Sequence, residues 1–257
     1  MKKLVLTGLA AVVASSAWAL VGTIRTETDA RKGEIKWQPR TKSYLVAITT
    51  KGGGSSNLEY PLKDVVGLDI EKPKNFDRLV ELVNNKQGAS AIKGLEEIVQ
   101  TYKMLVWDKP AGRYLVQAYL AADQAKKAYD TARAIINEDP TAAYMGELAP
   151  AYWRALRKNN ETTKLENCLR MAATNGDRVS SAEALLMRGE VTIEEGSGSV
   201  AAHRKALTDG FLRVALMYLD PECKEVRRDA MNKCADSFEK IGHAARAEKM
   251  RSAARGL

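Results

Sequence analysis

The sequence predicts an α+β multidomain chain: a small antiparallel β-barrel-like domain over residues 20–73, then an all-α solenoid of about five helix pairs over residues 74–257. Three observations predict it. Residues 20–73 alternate apolar and polar side chains in five short runs bounded by turn residues. From residue 75 apolar side chains recur at helical spacing almost to the end. Turn signals near residues 87, 123, 160, 197 and 242 divide that helical part at intervals of 36, 37, 37 and 45 residues, the spacing of a helical-repeat array.

The first residues bear on compartment. Lys2 and Lys3 form a positive start, Leu4 to Val13 an apolar core, and Ala17-Trp18-Ala19 a small-x-small cleavage site. This is the pattern of a bacterial secretory signal peptide over residues 1–19, with cleavage expected after Ala19 and a periplasmic or secreted location expected from it. The apolar core is shorter than the ~20 residues a spanning helix needs, and no later segment approaches 18 apolar residues, so no transmembrane segment is expected in the mature chain. The net charge of +8 becomes +6 once Lys2 and Lys3 are removed. It contains no run of four or more basic residues, which suits a solvated surface better than a dedicated anion-binding tract. Cys168, Cys223 and Cys234 are an odd number, so at least one is free. Cys223 and Cys234, on one helix, would lie about 16 Å apart, beyond disulfide reach.

In the β-domain, strands are expected in VGTIRTET, EIKWQPR, TKSYLVAITT, NLEYPLKDV and VGLDI, with turns at Asp29–Gly33, Pro39-Arg40 and Lys51–Ser56. Val21, Ile24, Ile35, Trp37, Leu45, Val46, Ile48, Leu58, Leu62, Val65, Leu68 and Ile70 are the expected inward residues. Glu71-Lys72-Pro73-Lys74 is the linker, and Asn75 can cap the helix after it. Helices are then expected over about 75–86, 89–104, a pair within 109–140, 142–158, 161–174, 178–195, 199–218, 222–240 and 243–255. The pair at 109–140 shows the logic best: small alanines let two amphipathic helices approach, and Pro140 stops the second. Such a pair cannot bury its apolar face alone and stacks on neighbours.

These units resemble tetratricopeptide repeats. Tyr119, Asp123, Ala128 and Pro140 stand at that family's spacing of aromatic, turn residue, close-packing Ala and closing Pro, and Phe238, Gly242 and Ala247 match it again. Leu82, Ala91 and Ile98 match in part; the unit at 142–176 has Lys164 where Ala is expected, and Ala201 aligns approximately in the next. Gly33, Ile35, Trp37 and Tyr44 resemble the strands of small SH3-like or Sm-like barrels. The C-terminal unit is similar to the closing repeats of exported bacterial envelope proteins.

Catalytic signatures are wanting. His203 and His243 stand on separate helices without metal-ligand spacing, and no Cys-x-x-Cys, Gly-x-Ser-x-Gly or P-loop occurs. Gly52-Gly53-Gly54 reads as a hairpin loop, and Glu194-Glu195 as a fraying helix end. An enzyme, a cofactor and a metal are therefore not expected. The resemblance implies protein binding along the first helix of each pair, with Arg113, Gln117, Tyr144, Trp153, Arg154, Arg157, Arg188 and Lys233 as candidate groove residues. Trp107 and Trp153 also suit packing between units. The expected partner is another cell-envelope protein or peptide; self-association into an envelope assembly is the alternative. Arg25, Arg31, Lys32, Lys36, Arg40 and Lys42 crowd the β-domain, but interleaved acids and the export signal argue against nucleic acid.

Overall fold

A computed structural model describes residues 20–49 and 55–257. The expected signal peptide and the Gly52-Gly53-Gly54 loop lie outside the described residues. The described residues form two compact units: one holds those up to Lys74 together with Glu97–Asp108, the other Asn75–Glu96 and Lys109–Leu257.

The first unit is a five-stranded antiparallel sheet of β1 (Leu20–Thr26), β2 (Ala30–Gln38), β3 (Ser43–Thr49), β4 (Ser55–Pro61) and β5 (Val65–Ile70), in the order β4-β3-β2-β1-β5. Val46 stands opposite Ile35 and Ile24 opposite Leu68, so one apolar face runs across the sheet. The order forces curvature. Three residues, the 3₁₀ turn Leu62–Asp64, connect β4 to β5, yet these strands occupy opposite edges. In a flat sheet four inter-strand spacings would hold them about 19 Å apart. Four Cα steps reach about 14 Å, so the sheet curls to bring its edges near.

The curl stops short of the expected barrel. Among the described residues β4 and β5 are not paired to each other, and the sheet is open. Pro61 ends β4 without an N–H to donate, and Leu62 N–H turns instead to the Lys42 carbonyl at 3.0 Å. Ile24, Ile35, Tyr44, Val46 and Ile70 are buried together with Leu105. Val21 and Leu62, expected inside, are 55% and 40% exposed. Alternation decides the neighbouring case: Val46 faces inward, so Tyr44 does too, and Leu45 points to the other face. Glu97–Asp108 adds specific polar ties: Tyr44 Oη donates to the Met104 carbonyl (3.0 Å) and Trp107 Nε1 to the Ile70 carbonyl (2.9 Å).

The second unit consists of antiparallel helix pairs. They are α1 (Phe76–Asn84) with α2 (Gly88–Thr101), α3 (Asp108–Ala121) with α4 (Ala125–Glu138), α5 (Ala149–Lys158) with α6 (Thr162–Asn175), α7 (Arg178–Glu195) with α8 (Val200–Ala206) and α9 (Leu212–Met217), and α10 (Lys224–Lys240) with α11 (Ala244–Arg255). The last residues of α2 and the first of α3 belong to the first unit.

One turn chemistry recurs in every pair. Lys86, Asp123, Asn160, Ser197 and Gly242 all have positive φ. The N–H that follows each reaches back to a carbonyl five residues earlier: Gln87 to Leu82, Gln124 to Tyr119, Glu161 to Leu156, Gly198 to Ile193 and His243 to Phe238, at 2.8–3.0 Å. This left-handed cap satisfies carbonyls the first helix would otherwise orphan. Lys86, Asp123, Asn160 and Ser197 stand 37 residues apart, and the step to Gly242 is 45. Nine residues beyond each accepting carbonyl lies a buried side chain of the second helix: Ala91, Ala128, Leu165, Ala202 and Ala247. The close-packing residues of the third and fourth pairs are thus Leu165 and Ala202, one position beyond Lys164 and Ala201.

Three boundaries differ from the sequence expectation. The helix expected from 142 starts at Ala149, because the chain after Pro140 makes a 3₁₀ turn and Gly146 takes φ +73°. The helix expected to reach 104 ends at Thr101, before Met104 and Val106 at φ +62° and +76°. The helix at 199–218 is interrupted by a π turn, Leu207–Phe211. There α7 comes close: a Cβ on Gly210 would stand 2.6 Å from the Leu185 carbonyl oxygen, and one on Gly189 2.4 Å from the Phe211 ring.

A candidate binding groove on the helical unit

The first helices α5, α7 and α10 pack side by side, α7 in the middle. Helical spacing places Glu183, Leu186, Met187, Glu190 and Glu194 on one face of α7. Arg154 and Arg157 face them from α5, and Asp229, Lys233 and Asp236 from α10. Between the helices lies an open cavity of about 300 Å³, with Leu186 and Met187, both nearly fully buried, as its apolar surface.

The charges divide into a paired and an unpaired set. Arg157 reaches Glu190 through Nη1 (3.0 Å) and clasps Glu194 through Nε (2.8 Å) and Nη2. Lys233 Nζ holds the other Glu190 oxygen at 3.0 Å. Glu190 is therefore tied to α5 and α10 at once. Burial acts to raise its pKa, but Lys233 and Arg157 outweigh burial and lower it. Burial likewise opposes the Arg157 charge, and Glu194 and Glu190 reverse the balance, so its pKa is raised. Asp236 is within 3.5 Å of Arg251. Among the described residues Glu183 has no hydrogen-bond or ion-pair partner; burial pushes its carboxyl up, Arg154 opposes this, and Asp229 and Glu190 add to it.

The other candidate residues are dispersed. Arg113 on α3 pairs with Glu147 and lies 4.4 Å from the Tyr114 ring centroid. Gln117 is half-buried on α3, and Tyr144 is half-buried in the irregular segment before α5. Trp153 is fully buried, and its Nε1 donates to the Ala143 carbonyl at 2.8 Å. Its place is in the packing rather than on a surface. Arg188 is exposed on a different face of α7, beside Leu165, Arg170, Glu195 and Lys205 in a second cleft of about 390 Å³. Thus Arg154, Arg157 and Lys233 converge and the remaining five do not join them. The residues missed by sequence reasoning are the acids opposite: Glu183, Glu190, Asp229 and Asp236. Glu190 and Glu194, four apart on the first helix of the fourth pair, carried the available signal, since they stand on the face that Arg157 reaches. Glu194 is an ion-pair partner at the end of α7 rather than a frayed residue.

Cys223 and Cys234 are buried and Cys168 partly so; all three are free thiols. Burial pushes Cys168 up to about 11 and Cys234 up to about 12, which leaves little thiolate at neutral pH. Among the described residues no group of three His, Cys, Asp or Glu side chains is placed to hold a metal ion, and no helix is long and apolar enough to cross a membrane.

No protein-family model matches the chain, and no curated protein matches it. Two solved structures are similar to it, both from Podosopora anserina and described as kinesin light chain nearly identical TPR-like repeats, one of them a single-substitution variant. Each is 14% identical and spans 70% of this chain and 91% of its own, with TM-scores of 0.45 and 0.44. The stacked helix pairs of this chain are defined by its own turns and packing.

Proposed function

We propose that the chain is a non-catalytic periplasmic adaptor that binds another cell-envelope protein, or a peptide of one, in the groove along α5, α7 and α10. The observation that carries this reading is the side-by-side packing of three first helices, which gathers solvent-accessible charge from three repeats around one apolar-floored cavity. Stacked helix pairs offer such surfaces to extended peptides or partner helices. The Lys2–Ala19 pattern supports export, and with it the envelope as the place of action.

The experiment is photo-crosslinking in cells with a benzophenone amino acid in place of Asn232, an exposed groove residue on α10. A discrete heterologous adduct, lost when Met187→Trp fills the groove, is the expected result. Adducts that persist in the Met187→Trp variant place the partner elsewhere and overturn the reading. Adducts to a second copy of the chain favour the alternative of a self-associating envelope component. Two features recommend that alternative: the edges of β4 and β5, unpaired among the described residues, and the exposed Leu216, Met217 and Leu219, each about three-fifths exposed.

A further inference from the structure

The candidate groove residues singled out by sequence were mostly cations, a composition suited to acidic ligands. The assembled groove has the opposite character. Four carboxylates, Glu183, Glu190, Asp229 and Asp236, surround the cavity, against Arg154 and Lys233. Lys233 is paired with Glu190, which offsets its charge toward an incoming anion. Among the described residues neither Glu183 nor Asp229 has an ion-pair or hydrogen-bond partner; Arg154 attracts Glu183 across the groove, and Asp229 repels it. Their shared neighbourhood opens over Leu186 and Met187. A surface with unpaired carboxylates above aliphatic side chains complements a side chain with an aliphatic stem and a cationic head.

Resting on the groove-binding reading, we propose that the α5–α7–α10 groove accepts a basic segment of its protein partner, seating one lysine or arginine head between Glu183 and Asp229 with its methylene stem on Leu186 and Met187. The inserted cation relieves the Glu183–Asp229 repulsion. Arg154, which lines the same cavity and already attracts Glu183, disfavours a second cation and so limits the site to one. An acidic segment would meet unpaired carboxylates and is rejected.

The test is panning of a random dodecapeptide display library on the mature full-length protein, in parallel with the double variant Glu183→Gln/Asp229→Asn and the groove-filled Met187→Trp. A control variant, Glu138→Gln, removes an exposed carboxylate from α4 and leaves the groove untouched. The expected result is peptides enriched in Lys and Arg whose affinity falls about tenfold or more in the double variant, the worth of a lost charge-assisted contact, with no change in the control. Binding lost in Met187→Trp but carried by neutral or acidic peptides, unaffected by Glu183→Gln/Asp229→Asn, overturns the basic-segment proposal and leaves the groove in place. Recovered peptides indifferent to all groove substitutions, or no enrichment, overturn both. An equal loss in Glu138→Gln assigns the effect to overall charge and also overturns the proposal.

Discussion

His203 shows how a residue that suggests chemistry in a sequence acts as a structural one in the fold. It is buried on α8, with Nδ1 3.1 Å from Ser237 Oγ on α10. Burial lowers its pKa below the ordinary 6.5; Lys240 lowers it further, and Asp236 opposes. The sign of the linkage follows. Above pH 6.5 the imidazole is neutral in both folded and unfolded chains and contributes no pH dependence. As pH falls through 6.5 the unfolded chain takes up a proton that the folded chain accepts only at lower pH, so stability declines across that window. Urea midpoints measured at about pH 7.5 and about pH 5.5 should therefore drop further for the natural protein than for His203→Gln, whose amide can still bond Ser237. Equal drops would remove His203 from the account. The sequence showed that His203 lacked metal-ligand spacing; its burial against Ser237, 34 residues away, depended on how α8 and α10 pack. Arg157 and Arg154 diverge in the same way. Three residues apart and alike in sequence, one is locked between Glu190 and Glu194 and the other is exposed. Charge reversal at Arg157 would damage the α5–α7 junction, so Arg154 is the safer probe of binding.

Among the elements, the repeat was legible because its turns are local. Each left-handed cap uses bonds within six residues, and Asp123, Asn160 and Gly242 are residue types that tolerate positive φ. Lys86 and Ser197 are less obvious, and their turns emerge from the spacing. The π turn at Leu207–Phe211 was not legible, since it answers to the close approach of Gly189 and Gly210 across two helices. Register within a pair matters energetically at Leu165. Four of the five equivalent positions are Ala, so repeat logic favours Leu165→Ala as a stabilising change. The packing argues otherwise. Leu165 is 3% exposed, so removing its side chain would leave a void in the packed interior. Truncating it should cost about 2–4 kcal/mol, as for other buried leucines, read from urea denaturation of the full chain. An unchanged or higher midpoint would mean that α5 and α6 can close to the separation of the alanine pairs.

At the scale of the whole molecule, the folding units do not follow a single cut in the chain. Pro73 and the shift from alternating to helical periodicity mark where sheet residues end, and both are visible in the sequence. Nothing comparable marks Glu97–Asp108. Tyr102 continues the helical spacing of α2, and the chain then breaks at Met104 and Val106, non-glycine residues at positive φ; the nearby turn residue is Asp108, whose Oδ2 accepts from the Met104 N–H at 2.7 Å. Yet Leu105 is 2% exposed within the core of the sheet unit, and Met104 and Trp107 supply the bonds to Tyr44 and Ile70. An open sheet of five strands buries one face, and here that face is completed by side chains from this distant segment. Leu105→Ala in the full chain should therefore destabilise the sheet unit by about 2–4 kcal/mol. The loss should be seen as faster hydrogen exchange at the amides of β1, β2 and β3, with the α7–α11 amides unchanged. A fragment of residues 20–74 should lack a cooperative unfolding transition, whereas residues 20–108, which restore Leu105, Met104 and Trp107, should regain one. Cooperative unfolding of the shorter fragment, together with unaltered exchange in Leu105→Ala, would show that the strands bury enough of Ile24, Ile35, Tyr44, Val46 and Ile70 among themselves to hold the sheet.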